Sequence, residues 1–176
     1  MNKIDLKNNK TSRLLLITAF IIVVLIGVII IVNNKGESNG FKGFLLWETA
    51  FDSVKNDMTF ISTDTRFVGV NNFSRKNDNF QIGSGTAKAI TYAFWQNKLY
   101  SVTINIDGYE NWSKMHQSLI KEFGEPSKLN GNTEDYYWYG DATSIQSVYW
   151  EFNKKGLIIF TSQKLSNTGG MRKASN

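Results

Sequence analysis

Ala89-Ile90-Thr91-Tyr92-Ala93-Phe94-Trp95-Gln96-Asn97-Lys98-Leu99-Tyr100-Ser101-Val102-Thr103-Ile104-Asn105-Ile106 is the stretch from which the fold can be read. Two runs rich in β-branched and aromatic residues, Ala89–Trp95 and Leu99–Ile106, flank the polar triplet Gln96-Asn97-Lys98, and that is the chemistry of a hairpin. In the second run Tyr100, Val102, Ile104 and Ile106 alternate with Ser101, Thr103 and Asn105. A period of two predicts one buried and one wet face, hence an antiparallel sheet with something packed on one side.

The covering element follows directly. Trp112, Met115, His116, Leu119, Ile120 and Phe123 fall at helical spacing and form one apolar stripe. Asn111 is read as the N-cap, and Gly124 with Pro126 as the stop. Beyond it, Glu134–Tyr139, Ser144–Phe152 and Leu157–Thr161 read as strands, the last two joined by Asn153-Lys154-Lys155-Gly156. This second hairpin echoes the first: Tyr149-Trp150-Glu151-Phe152-Asn153-Lys154-Lys155-Gly156-Leu157 parallels Tyr92-Ala93-Phe94-Trp95-Gln96-Asn97-Lys98-Leu99 with one added residue.

Toward the N-terminus the same order appears. Phe51, Val54 and Met58 recur at helical spacing behind a capping box, Thr49 to Asp52, and Arg66–Ser74 reads as a strand. The expectation is an α+β domain over 41–165, arranged as an αβββ–αβββ pseudo-repeat, with one antiparallel sheet and both helices on one face. The segment 33–40 (NNKGESNG) reads as a flexible spacer and 166–176 as a frayed tail.

Leu14 to Val32 is a run of nineteen residues without a charge. As a helix it would span about 28 Å, close to the hydrocarbon thickness of a bilayer. The run is longer than the apolar part of a signal peptide and ends without a small-x-small cleavage site. Lys3, Lys7, Lys10 and Arg13 precede it against Asp5 alone, whereas Lys35 beyond it is offset by Glu37. The positive-inside bias therefore predicts a single-pass anchor, with 1–13 as a cytoplasmic tail and the folded domain on the other side of the cell membrane.

Several strings carry a resemblance. Leu46-Trp47-Glu48-Thr49-Ala50-Phe51-Asp52-Ser53-Val54-Lys55, Ile90-Thr91-Tyr92-Ala93-Phe94, Lys121-Glu122-Phe123-Gly124-Glu125-Pro126 and Tyr137-Trp138-Tyr139-Gly140 resemble a diffuse class of uncharacterised bacterial secreted and envelope domains. At the level of shape the chain is similar to small envelope-assembly lipoproteins and to a secreted β-lactamase inhibitor built from tandem helix-plus-sheet units. The resemblance implies a non-catalytic domain and transfers no functional residue. The chain departs from the lipoproteins in having no cysteine, so the Leu14–Val32 helix would have to replace the lipid.

Composition narrows the function classes. The chain is 41% hydrophobic and 20% charged, which is globular rather than disordered. Cys 0 removes disulfides, thiolate metal sites and cysteine nucleophiles. Of the net charge of +5, the tail before the apolar run carries three units, so the basicity is read as a topology signal and no nucleic-acid partner is expected. His116 is the single histidine; one imidazole cannot make a zinc site, and no sequence pattern supplies it with a nucleophile and an orienting group. No metal and no cofactor are expected.

Gly83-Ser84-Gly85-Thr86 lacks the remainder of any phosphate-binding fingerprint and reads as a loop. Asp107 and Glu110 suit the start of the long helix. For a hydrolase the carboxylates to inspect are Glu134, Asp135 and Asp141. The basic pairs Arg75-Lys76, Lys154-Lys155 and Arg172-Lys173 read as solvated turns. Tyr136-Tyr137-Trp138-Tyr139 is the most unusual string. In a strand one pair faces inward and the other outward, and the larger hydrophobe Trp138 suits the core, leaving Tyr137 and Tyr139 as candidate interface anchors. The sequence thus predicts a membrane-anchored binding or assembly module of the bacterial cell envelope, with protein, peptide or glycan as possible partners. The alternatives are an envelope glycan or peptide hydrolase, and an inhibitor or immunity protein.

Overall fold

The computed structural model describes residues 39–41, 45–128 and 134–167. The chain divides into two units, Met1–Lys35 and Gly36–Asn176. The predicted span Leu14–Val32 and its cytoplasmic tail lie outside the described residues. Among the described residues no helix is long and apolar enough to cross a membrane.

The second unit is mixed α+β, built on one antiparallel sheet. In chain order its elements are β1 (Gly40–Phe41), β2 (Leu45–Leu46), α1 (Phe51–Val54), β3 (Met58–Thr63), β4 (Val70–Arg75), β5 (Gln81–Ile82), β6 (Gly85–Thr86), β7 (Ala89–Trp95) and β8 (Lys98–Asp107). Then follow α2 (Tyr109–Phe123), β9 (Ser127–Lys128), β10 (Glu134–Tyr139), β11 (Thr143–Trp150), β12 (Lys155–Ser162) and α3 (Gln163–Asn167). The main sheet has eight strands in the order β3-β4-β7-β8-β12-β11-β10-β9. Each half of the chain thus contributes a short or long helix and four main-sheet strands, and the final strands of the halves, β8 and β12, pair antiparallel at the centre.

Both hairpins read from the sequence are present, with Asn97 and Lys154 at positive φ in their turns. The alternation in β8 holds for Val102, Ile104 and Ile106 but not for Tyr100. The register between β7 and β8 slips at Ala93/Phe94, leaving Tyr100 as an extra residue. This bulge turns Tyr100 to the opposite face, where it packs with Val70, Ala93 and Trp95. Leu99 takes its place in the main core.

The main core lies between the sheet and a layer formed by α1, α2 and the β1–β2 ribbon. Trp112, Met115, His116 and Leu119 of α2 are buried, as the stripe predicted. Phe51 of α1 packs on Phe73 and Phe94 at ring separations of 4.4 and 5.2 Å. Phe41 of β1 meets Phe160 edge-on at 5.3 Å. Gly40, the last residue of the segment read as a spacer, is buried in β1, so ordered pairing starts before residue 41. At the other end α3 continues through Asn167 and buries Leu165 on the opposite face of the sheet.

Two caps differ from expectation. Gly108 (φ 82°), not Asn111, occupies the N-cap of α2, a backbone conformation that glycine adopts freely. Asn111 instead donates to the Asp107 carbonyl. The Thr49–Asp52 capping box does not form either: Ala50 is the N-cap of α1, and Thr49 donates to the Leu46 carbonyl (2.7 Å). The hairpin turn supplies the cap, since the Asp52 amide donates to Asn97 Oδ1 and Asn97 Nδ2 donates back to Asp52 (2.9 Å).

Further differences follow from β-propensity and turns. Met58 does not extend α1; a 3₁₀ turn at Lys55–Asp57 ends it, and Met58 opens β3, whose Thr59, Ile61 and Thr63 favour extended backbone. The strand expected at Arg66–Ser74 begins only at Val70, because Asp64 and Arg66 are tied in a local turn. β11 stops at Trp150 rather than Phe152, which stands in the turn at 85% exposure. Gly83-Ser84-Gly85-Thr86 is the tip of the β5–β6 hairpin docked on α2. A Cβ on Gly85 would stand 2.7 Å from the Asn111 carbonyl oxygen.

Candidate functional site

The aromatic strand β10 is positioned by its pairing with β11, and the register decides its faces. Trp138 lies opposite Ile145 and Tyr136 opposite Ser147, both on the helix-covered side. Tyr137 lies opposite Gln146 and Tyr139 opposite Ser144, on the other side. Trp138 is buried and its indole N–H donates to the Gly124 carbonyl at the end of α2 (2.7 Å). Tyr136 packs against the His116 ring at 4.4 Å, and its hydroxyl donates to Glu134. Hydrogen bonding to that carboxylate, then burial, raises the phenol pKa. Tyr136 and Trp138 therefore serve the core.

Tyr137 and Tyr139 stand on the open face with their rings parallel (8°) and 5.9 Å apart. Tyr139 is 70% exposed. Tyr137 is half-buried; its hydroxyl donates to Asp135 (3.4 Å), and Gln146 Nε2 donates both to Asp135 (3.0 Å) and to that same hydroxyl. Burial, then the Asp135 charge, raises the Tyr137 phenol above its usual range, so it stays neutral and able to donate. The ring is held in place before any partner arrives.

These tyrosines wall one end of a groove of about 440 Å³ that crosses the sheet. Its floor is two rows of cross-strand neighbours. One runs Thr91, Thr103, Ile159, Gln146, Tyr137 over β7, β8, β12, β11 and β10. The other runs Asn72, Ala93, Ser101, Thr161, Ser144, Tyr139 and starts on β4. At the far end stand Phe67, Tyr100 and the Asp64–Arg66 pair. Arg66 grips the Asp64 carboxylate through Nη2 at 2.9 Å and Nε at 3.3 Å. That hydrogen bonding holds Asp64 below the usual carboxylate range and raises Arg66 further. The face therefore combines a hydroxyl floor, aromatic walls and one mutually satisfied ion pair. A ligand pocket of this size with a few placed polar groups is a general pattern.

Tertiary structure also assembles a serine–histidine pair that the sequence did not show. His116 Nδ1 and Ser147 Oγ are 3.1 Å apart, and the Trp112 indole N–H donates to the same oxygen at 3.1 Å. With the indole donating to it, Ser147 has its hydroxyl proton left for Nδ1, which suits a neutral imidazole protonated at Nε2. Burial lowers the His116 pKa, opposed in part by the Glu134 charge. Ser147 is 0% exposed and is bonded by the Trp112 indole, whose ring stacks on His116 at 4.9 Å. No substrate can reach that oxygen without lifting α2, so the pair fastens the helix to β11.

The carboxylates do not converge. Asp107 is paired with Lys88 at 2.9 Å and also with Lys155, and Glu110 with Lys114 at 2.7 Å. Glu134 and Asp135 are successive strand residues and project to opposite faces. Among the described residues no group of three or more His, Cys, Asp or Glu could hold a metal ion. The groove itself was only half legible: the tyrosines were visible in the sequence, but Ser101 and Thr103 read merely as wet positions of an alternating strand, and Thr91 and Thr161 only as members of strands. Register alone turns them into one surface. No family model, no curated protein and no solved structure matches the chain.

Proposed function

We propose that this chain is a membrane-anchored binding module of the bacterial cell envelope, facing away from the cytoplasm, with the open sheet face as its binding surface. The observation that supports it is the pre-held Tyr137–Tyr139 pair at the end of a groove on the sheet face opposite α2. Tyrosines that present a large apolar face and a polar tip are suited to such contacts. The anchor rests on the uncharged run Leu14–Val32 and its basic flank. The same reading extends the sequence resemblance to envelope-assembly domains, with two helix-and-sheet halves joined through β8 and β12.

The test has two arms. Reporter fusions after Gly40 are expected to score outside the cytoplasm; a soluble cytosolic product, or loss of 1–32 on export, refutes the anchor. A Tyr137→Ala/Tyr139→Ala variant is expected to keep its stability to within about 1 kcal/mol and to lose capture of the envelope component that the wild type retains. Unfolding of that variant, or undiminished capture, refutes the binding face.

A further inference from the structure

We propose that the open-face groove takes a neutral oligosaccharide. The proposal rests on the reading of that face as the binding surface and adds the class of ligand. Charge decides first. Among the described residues Arg66 is the one cation lining the groove, and Asp64 occupies it with two bonds. An anionic polymer would find no unspent positive charge there, and Asp135 beside Tyr137 would repel it. A cationic segment finds Asp64 already neutralised by Arg66, and only Asp135, outside the groove lining and bonded by Gln146, to approach.

Backbone accounting decides next. An extended peptide gains most of its affinity on a sheet by adding to a free edge. The floor of this groove is β7, β8, β12 and β11, each with a hydrogen-bonded strand on both sides. Their amides and carbonyls are spent, so only side chains can meet a ligand. Thr91, Thr103, Ser144 and Thr161 present hydroxyls there beside the apolar Ile159, and each hydroxyl can both donate and accept. A ligand ringed with hydroxyls, with apolar C–H faces between, matches such a floor and the aromatic walls Tyr139 and Tyr100. The strands repeat at about 4.8 Å, comparable with the length of one sugar residue, so successive rings can meet successive strands.

The experiment is isothermal titration of the full chain, in detergent, with cellotetraose, maltotetraose and the tetramer of N-acetylglucosamine. A disordered peptide and an anionic polysaccharide serve as comparators. At least one neutral tetrasaccharide is expected to bind, with affinity unchanged between low and high salt because no ion pair forms. Tyr139→Ala and Thr103→Val are each expected to weaken it by about tenfold with an unchanged melting temperature. Absence of binding by all three sugars up to about 10 mM overturns the proposal. If the peptide or the anionic polysaccharide binds instead with the same tyrosine dependence, the neutral-oligosaccharide assignment falls and the binding face stands. If neither depends on Tyr139, both fall.

Discussion

Gly156 on β12 is the place where helix α2 is seated on the sheet, and Gly156→Ala tests that seating. A Cβ built there would lie 2.7 Å from Trp112 Cδ1, 2.9 Å from Trp112 Cβ and 3.0 Å from Trp112 Cγ. Two of these atoms are close to the helix backbone and cannot swing aside. Trp112 is 2% exposed, stacked on His116 and bonded to Ser147, so its ring has no other position to take. The helix must rise off β12 by a few tenths of an ångström or more. Overpacking of this kind costs about 1–3 kcal/mol. For a domain of this size that lowers the melting temperature by roughly 4–12 °C. Trp112→Ala alone should cost about 3–5 kcal/mol. Adding Gly156→Ala to it should cost much less than in the wild type, because the indole is gone, giving a favourable coupling of about 1–2 kcal/mol. The assay is thermal unfolding of the four proteins, followed by near-ultraviolet circular dichroism. If Gly156→Ala melts with the wild type, or if its penalty is the same with and without Trp112, the helix does not rest on this glycine.

Three further outcomes follow from the same packing. His116 has its pKa lowered by burial, so the unfolded chain takes up its proton first; stability is full above about pH 6.5 and declines as pH falls from there toward the folded value. His116→Phe should flatten that decline between pH 7.5 and 5.5, and an unchanged slope in melting temperature against pH would refute the assignment. Among the described residues the buried Tyr149 hydroxyl has no hydrogen-bond partner, so Tyr149→Phe should leave stability unchanged or raise it by up to about 1 kcal/mol in chemical denaturation; a clear loss would show a partner for it. Asn97→Ala removes both side-chain bonds that tie the β7–β8 turn to α1, leaving the Phe51 amide bond to its carbonyl, and should cost about 1–2 kcal/mol, whereas Thr49→Ala, which is no cap, should cost less than half as much.

Much of the fold was fixed by local pattern. Alternation in Leu99–Ile106 and the stripe from Trp112 to Phe123 specify a half-buried strand and an amphipathic helix whatever lies around them, because period two and period 3.6 bury different sets of residues. The same logic placed Trp138 inward and Tyr137 and Tyr139 on the same face. Pairing decided what pattern could not. The β-bulge at Tyr100 put that ring on the open face beside Ser101, since one extra residue breaks the alternation at that point. The cap of α1 came from Asn97, forty-five residues from the amide it serves. The Ser147–His116 contact, the seat of Trp112 on Gly156 and the row of hydroxyls across β7, β8, β12 and β11 all join residues remote in the chain. The sequence alone determined which residues prefer water, which prefer the core and with what period. Only the tertiary structure decided which strands lie side by side, because register is set by the sum of many distant contacts, and with it which wet positions form a single groove.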